Sequence, residues 1–169
     1  MIVSAKKIQE IIGNLDYDFT TFTMDSFIGH VEQIRGRPIH LQAFDFKDGT
    51  FGYWVPSKTD DFIAYRDGLV YLHTVHVIMH EIGHMLMGHK PTTDVFSILR
   101  VDQLLDAGLL RPKAMTRIVP ISTPFDSAAE QECELFATLV QQRVRRAQQG
   151  NSSSIARLKP YSDAIGFVD

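Results

Sequence analysis

The sequence predicts a single α+β domain spanning residues 1–169, in which a small antiparallel sheet of three strands packs with one largely buried helix and several further helices. Two observations carry this prediction. Short aromatic and β-branched runs, separated by turn residues, lie near the middle of the chain, and longer stretches with helical spacing of apolar residues flank them. With 44% hydrophobic and 22% charged residues, a chain of this length can bury one core without disulfides.

Helices are predicted at residues 2–12 and 24–35, ahead of the sheet, and at residues 72–88, 94–106 and 127–146 behind it. The segment 72–88 has no proline and too many apolar residues for one helical face, which indicates a largely buried helix. Prolines at positions 112, 120 and 124 break the chain before the last helix. We expect the core at about residues 25–145 and a loop or loose tail at residues 150–169.

The strands are predicted from three runs, at residues 38–44, 51–55 and 61–65. Lys47-Asp48-Gly49 separates the first two runs, and Pro56-Ser57-Lys58 separates the last two. Such turn residues between short strands are typical of consecutive antiparallel hairpins.

Composition excludes several classes of protein. A net charge of -3 gives no basic excess, which disfavours direct nucleic-acid binding. Cys133 is the only cysteine, so an intrachain disulfide and a structural zinc site made of cysteines are both excluded. No signal-peptide pattern opens the sequence, and no apolar run approaches the roughly 20 residues that span a bilayer. We therefore expect a cytoplasmic protein without a membrane partner.

The segment His80-Glu81-Ile82-Gly83-His84 matches the pattern H-E-x-x-H. Its two histidines lie one helical turn apart and can share one zinc ion, with manganese as the alternative metal. Glu81 lies at the border of the histidine stripe, where its carboxylate can act as general base. Composition alone gives such a match on the order of one time in a hundred, and the competing interpretation is a helix with two surface histidines. The apolar flanks favour the metal site, because a buried helix needs partners for its polar stripe.

A catalytic zinc site usually has three protein ligands, and the last predicted helix offers Glu130, Glu132 and Glu134. On a helical wheel with Ala128 at the origin, apolar residues span about -20° to 160°. Glu132 falls at about 40°, inside this arc, whereas Glu130 and Glu134 fall outside it at about 200° and 240°. Because a carboxylate on the core face needs a partner, Glu132 is the predicted third ligand. The alternative is a buried salt bridge from Glu132 to an arginine.

Other residues have weaker assignments. Cys133 points the same way as Glu132 and is interpreted as core filling rather than as a nucleophile. His73 lies roughly 10 Å along the helix from His80, too far to share its ion, and His76 is interpreted as a core or cleft residue. His89 suits a helix C-terminus. Gly83 either permits the close approach of another backbone or is simply tolerated.

Two motifs resemble the ImmA/IrrE metallopeptidases, a family of bacterial and phage-borne proteins. The first is the H-E-I-G-H segment with Met85-Leu86-Met87-Gly88-His89 after it, and the second is residues 130–137, E-Q-E-C-E-L-F-A. The resemblance covers roughly residues 25–145 and implies a minimal zincin-like metallopeptidase domain with a three-stranded sheet. It places the third ligand at Glu132. Cys133 replaces the usual alanine, and the frequent Leu-x-Pro after the last helix is absent.

The resemblance also implies regulated cleavage of a helix-turn-helix transcriptional repressor, in stress response or in the induction of mobile elements. The expected function is therefore a zinc-dependent endopeptidase with such a repressor as substrate. The alternative is a non-catalytic protein that keeps the zinc fold and binds or sequesters a repressor, as part of a two-gene regulatory or toxin–antitoxin-like module.

Overall fold

The computed structural model of the protein describes residues 5–46, 51–89 and 127–151. Within these ranges the elements are α1 (Ala5–Asn14), a 3-10 turn (Phe19–Thr21), α2 (Met24–Arg35), β1 (Ile39–Phe44), β2 (Gly52–Pro56), β3 (Asp61–Arg66), α3 (Tyr71–Met87) and α4 (Ser127–Asn151). The predicted α+β class is confirmed. The helix predicted at residues 94–106, the three prolines after it and most of the predicted tail lie outside the described residues.

The boundaries of the predicted elements agree with the structure to within a few residues. The last helix is longer than predicted, because α4 continues through Gly150 to Asn151, where a loop was expected. α2 begins at the Thr23 cap, whose hydroxyl accepts a hydrogen bond from the Ser26 N–H at 3.1 Å. Over the described ranges, no helix is both long and apolar enough to cross a membrane.

The sheet is mixed, so the prediction of an antiparallel sheet is wrong. Its strand order is β1-β3-β2, with β1 parallel and β2 antiparallel to β3. The turn residues between the first two strands therefore join strands that are not neighbours. β3 takes the centre because it is the most buried strand, with Asp61 and Ile63 fully inaccessible and Ala64 1% exposed. The strand order cannot be read from the turn residues or the strand lengths. It agrees instead with the burial of the third strand.

Helix α3 lies at the centre of the core, between β2 and β3 on one side and α4 on the other. It contributes buried apolar residues to both contacts: Val75, Val77, Ile78, Met79, Ile82 and Met85. α4 contributes a buried stripe of its own: Cys133, Phe136, Ala137, Val140 and Val144. The 3.6-residue period places this stripe along one face of α4. α1 and the 3-10 turn cover the other part of α4.

A buried carboxylate joins the sheet to two helices. Asp61 Oδ2 lies 2.6 Å from Arg35 Nη2 and 3.3 Å from Arg37 Nε, and its Oδ1 accepts a hydrogen bond from Trp54 Nε1 at 2.9 Å. Arg35 also donates to the Met85 carbonyl at the end of α3, at 3.1 Å. A fully buried charge is tolerated only when paired and hydrogen-bonded, and Asp61 meets both conditions.

Replacing Asp61 by Asn tests this network. The amide keeps the size of the side chain but removes the charge that compensates two arginines, so we expect a loss of about 3–5 kcal/mol in the free energy of unfolding. Urea denaturation measures it. Asp25→Asn, on the exposed start of α2, is the matched control and should change stability by less than about 1 kcal/mol. Equal effects of the two substitutions would contradict the proposed importance of the Asp61 network.

Candidate metal centre

The two motif histidines face each other at the C-terminal half of α3. His80 Nε2 and His84 Nε2 are 3.1 Å apart. His84 is only 1% exposed, whereas the His80 side chain is 19% exposed and forms the open side of the pair. Two ring nitrogens that meet at this distance must share a proton or a cation, because two lone pairs repel.

The carboxylate of Glu130 on α4 completes this arrangement. Glu130 Oε2 lies 3.1 Å from His80 Nε2, and Glu130 Oε1 lies 3.6 Å from His84 Nε2. A tetrahedral zinc ion with bonds of about 2.0–2.1 Å holds its ligand atoms about 3.3 Å apart. The three side chains therefore present two ring nitrogens, and a carboxylate with one oxygen near each of them, at separations close to this value. Two histidines and a glutamate are also a known ligand set of catalytic zinc.

Cys133 is a second candidate for the third ligand. His80, His84 and Cys133 offer ligand atoms within 4.8 Å of one another, so this group could hold a metal ion. However, burial raises the pKa of the Cys133 thiol far above its usual range, and the negative charges of Glu81, Glu130 and Glu132 raise it further. Metals bind the thiolate, and a bound ion would itself lower the pKa of a coordinating thiol, so the comparison of Cys133 with Glu130 rests on geometry.

The structure places Glu132, the predicted third ligand, in a different environment. Its carboxylate accepts hydrogen bonds from Lys7 Nζ at 3.1 Å and contacts His89 Nε2 at 3.1 Å. The helical wheel was right that Glu132 points inward, since its side chain is 14% exposed against 45% for Glu130. The buried face of α4 meets α1 and His89 at this turn. The geometry therefore favours Glu130 over Glu132 as the ligand. The alternative of a salt bridge is closer to the structure, with a lysine in place of an arginine.

Glu134 contacts both His80 and the upstream His76, whereas His73 contacts another part of the chain. Glu134 Oε2 lies 3.0 Å from His76 Nε2 and 3.7 Å from His80 Nδ1, the ring nitrogen of His80 that faces away from His84. His76 thus has the hydrogen-bond partner expected of a cleft histidine. His73 lies against the Phe51 ring, with ring centroids 4.8 Å apart.

Glu81 is buried between α3 and the edge strand β2, with 6% of its surface exposed. The backbone N–H of Trp54 donates a hydrogen bond to its carboxylate. Gly52 makes this approach possible, because a Cβ at position 52 would lie 2.5 Å from Val77 Cγ1 and 3.1 Å from Glu81 Oε1. Gly52 was not among the residues predicted to shape the site. A glycine within a predicted strand is a signal for such a close approach.

Burial and neighbouring charges set the ionisation of the site. Burial raises the pKa of Glu81 to about 7, in spite of the nearby His80. Burial lowers the pKa of His84 to about 3, and the neighbouring His80 and His89 lower it further, so the ring is neutral as a metal ligand must be. For His80, burial lowers the pKa, but its hydrogen bond with Glu130 and the charges of three glutamates outweigh burial and raise it.

Gly83 permits the close approach of α4, as one of the two interpretations of the sequence holds. A Cβ at this position would lie 3.2 Å from Phe136 Cδ1, 3.3 Å from Cys133 Sγ and 3.4 Å from Cys133 Cα. The sequence also carried a signal for Glu130 that the wheel did not use. Glu130 and Glu134 are one turn apart on α4, as His80 and His84 are on α3, so two facing helices can bring both pairs together.

Comparison of the chain with models of known protein families found no match, and comparisons with curated proteins and with solved structures found none either. The resemblance to the ImmA/IrrE metallopeptidases therefore rests on the two motifs of the sequence. The geometry of the described residues carries the functional argument.

Replacing Gly52 by Ala tests the contact between β2 and α3. The added methyl would overlap Val77 Cγ1 and press on the Glu81 carboxylate, so we expect a loss of about 1–3 kcal/mol in stability. Gly29→Ala, inside α2, has no atom within 4 Å of the added methyl and is the matched control. It should stabilise the protein by up to about 1 kcal/mol. Thermal unfolding of both variants measures the difference, and a neutral Gly52→Ala would contradict the close approach.

Proposed function

We propose that the chain is a zinc-dependent endopeptidase in which His80, His84 and Glu130 hold the metal ion and Glu81 is the general base. The observation that carries this proposal is the facing pair of Nε2 atoms, 3.1 Å apart, with the Glu130 carboxylate within 3.6 Å of both rings. Manganese is the alternative ion, because the same nitrogen and oxygen ligands accept it.

Each side chain has a distinct role in this proposal. The chemistry that zinc supplies when bound is polarisation of the scissile carbonyl and a pKa of water lowered toward ~7. Glu81 takes a proton from the attacking water and delivers it to the leaving nitrogen. The Trp54 N–H fixes the direction of the Glu81 carboxylate. Glu134 orients His80 through its Nδ1 side, since the two groups are 3.7 Å apart.

Glu130 is preferred to Cys133 on two grounds. The Glu130 oxygens lie 3.1 Å and 3.6 Å from the two Nε2 atoms, so its carboxylate contacts both rings of the pair. In addition, Glu130 is half exposed and borders the open side of the site, where substrate must enter, whereas Cys133 is fully buried against Gly83.

The substrate that we propose is a helix-turn-helix transcriptional repressor. This part of the proposal is supported by the resemblance of the two motifs to the ImmA/IrrE metallopeptidases, and the neighbouring gene is the first place to look for such a repressor.

Replacing Glu81 by Gln tests the chemistry. The amide keeps the shape of the side chain but cannot take a proton, so cleavage of the repressor should fall by at least about a hundredfold while zinc stays bound. Mass spectrometry of the repressor after incubation with zinc-loaded protein detects the products. Glu10→Gln, on the exposed face of α1, is the control and should cleave normally. Cleavage that survives in Glu81→Gln would contradict the mechanism. Zinc binding and repressor binding without any cleavage by the unaltered protein would favour the non-catalytic regulator.

Replacing Glu130 by Gln tests the third ligand. Loss of the charged oxygen should weaken zinc binding by more than the roughly 10–100-fold that is typical of residues that only orient ligands. Competition with a chromophoric chelator measures the affinity. Gln131→Ala, exposed beside Glu130, and Cys133→Ala should both keep the affinity of the unaltered protein. If Cys133→Ala releases the ion and Glu130→Gln does not, the thiolate is the ligand instead.

A further inference from the structure

A continuous series of contacts runs from the N-terminal helix to the buried motif histidine. Lys7 Nζ lies 3.1 Å from Glu132 Oε1, and Glu132 Oε2 lies 3.1 Å from His89 Nε2. The other nitrogen of this ring, His89 Nδ1, lies 3.1 Å from His84 Nδ1. The last two links are well shielded, since the side chains of Glu132 and His89 are 14% and 15% exposed.

The chemistry of the end groups fixes the direction of each hydrogen bond. An ammonium group only donates and a carboxylate only accepts, so His89 Nε2 must carry the proton that points at Glu132. One proton lies between His89 Nδ1 and His84 Nδ1, which are 3.1 Å apart, and in the neutral form of His89 the N–H on Nε2 leaves Nδ1 as the acceptor. His84 Nδ1 must then donate to it. His84 Nε2 consequently keeps its lone pair, and this is the nitrogen that faces His80 and Glu130.

A second contact agrees with this direction. Cys133 Sγ lies 3.5 Å from His89 Nδ1. A thiol can donate to a ring nitrogen that has a lone pair, so the contact is compatible with an unprotonated His89 Nδ1. The direction itself follows from the contact of His89 Nε2 with the Glu132 carboxylate.

The end of α3 places His89 where this series needs it. Gly88 has a φ of 67°, in the left-handed region that favours glycine, and its N–H donates to the carbonyls of His84 and Met85. The next N–H, that of His89, also returns to the His84 carbonyl, at 3.0 Å. The chain therefore folds back over its own last turn, which brings the His89 ring onto the Nδ1 side of His84.

We propose that Lys7, Glu132 and His89 form a positioning relay that holds His84 in the tautomer with a proton on Nδ1 and so presents Nε2 to the metal ion. The relay rests on the proposed function, because it gives His84 the role of a ligand. Glu132 thereby acts on the site through His89 rather than by binding the ion.

The tautomer itself is the first readout, and it needs no metal. Long-range ¹H–¹⁵N spectra of the histidine rings distinguish a protonated ring nitrogen from one with a lone pair. In the metal-free protein, His84 should carry its proton on Nδ1, and His89 should carry its proton on Nε2. His89→Phe keeps an aromatic ring at this position but removes both ring nitrogens. In this variant His84 should become a mixture of tautomers. A proton on His84 Nε2 in the unaltered protein would overturn the proposal.

Metal affinity is the second readout. His89→Phe and Glu132→Leu should each weaken zinc binding by about 10–100-fold, which is the effect typical of residues that orient a ligand. Glu132→Gln keeps an oxygen that accepts from His89, so it should restore the Nδ1–H tautomer and most of the affinity. Unchanged affinity in His89→Phe would overturn the relay. A loss in Glu132→Gln as large as that in Glu130→Gln would also overturn it, because Glu132 would then be a direct ligand.

Lysine variants provide the matched control. Lys7→Met should weaken zinc binding less than Glu132→Leu, since the carboxylate remains, whereas Lys6→Met, next to it on α1 and 86% exposed, should have no effect. Circular dichroism at the assay temperature confirms that each variant is folded. Failure of the unaltered protein to bind zinc would contradict the proposed function, while the spectra of the metal-free protein would still test the relay. The two failures are therefore distinguishable.

Discussion

The close approach of α3 and α4 is the constraint on which the rest of the structure depends. Gly83 leaves room for Phe136 and the backbone at Cys133, so that the two helices meet with little space between them. The apolar core adjoins this contact, and so does a strip of polar side chains: His76, His80, His84, Glu130 and Glu134. In this strip, histidines one turn apart on α3 face glutamates one turn apart on α4. The distance between the two helices therefore sets these histidine–carboxylate contacts.

Two buried carboxylates that accept hydrogen bonds from Trp54 show how environment gives similar groups different ionisation. The indole N–H of Trp54 donates to Asp61, which two arginines also hold, and its backbone N–H donates to Glu81. Asp61 has its charge compensated and ties the sheet to α2 and α3. Burial instead raises the pKa of Glu81 to about 7, which is compatible with its proposed role as general base. One strand residue therefore contacts both buried carboxylates.

The sequence predicted what depends on local patterns. The bounds of α2, α3 and the three strands follow from periodicity, capping residues and turns, and each agrees with the structure to within a few residues. Strand order did not follow, because it depends on which strand is most buried. Glu132 stays a predicted ligand, but its observed contacts could not be read from the sequence for a related reason. The wheel of α4 reports which face is buried, and the inward direction at Glu132 leads to Lys7 and His89. Which neighbour a buried face meets is a property of the tertiary structure.

The contact of Lys7 with Glu132 links the first turns of the chain to the deepest part of the site, 125 residues later in the sequence. N-terminal residues are usually the part of a domain that tolerates trimming and fusion best. In this protein, proteolysis within α1 or a bulky fusion against it would remove or displace a cation that holds an internal carboxylate. The presence of an expression tag next to α1 is therefore a biochemical variable for this molecule.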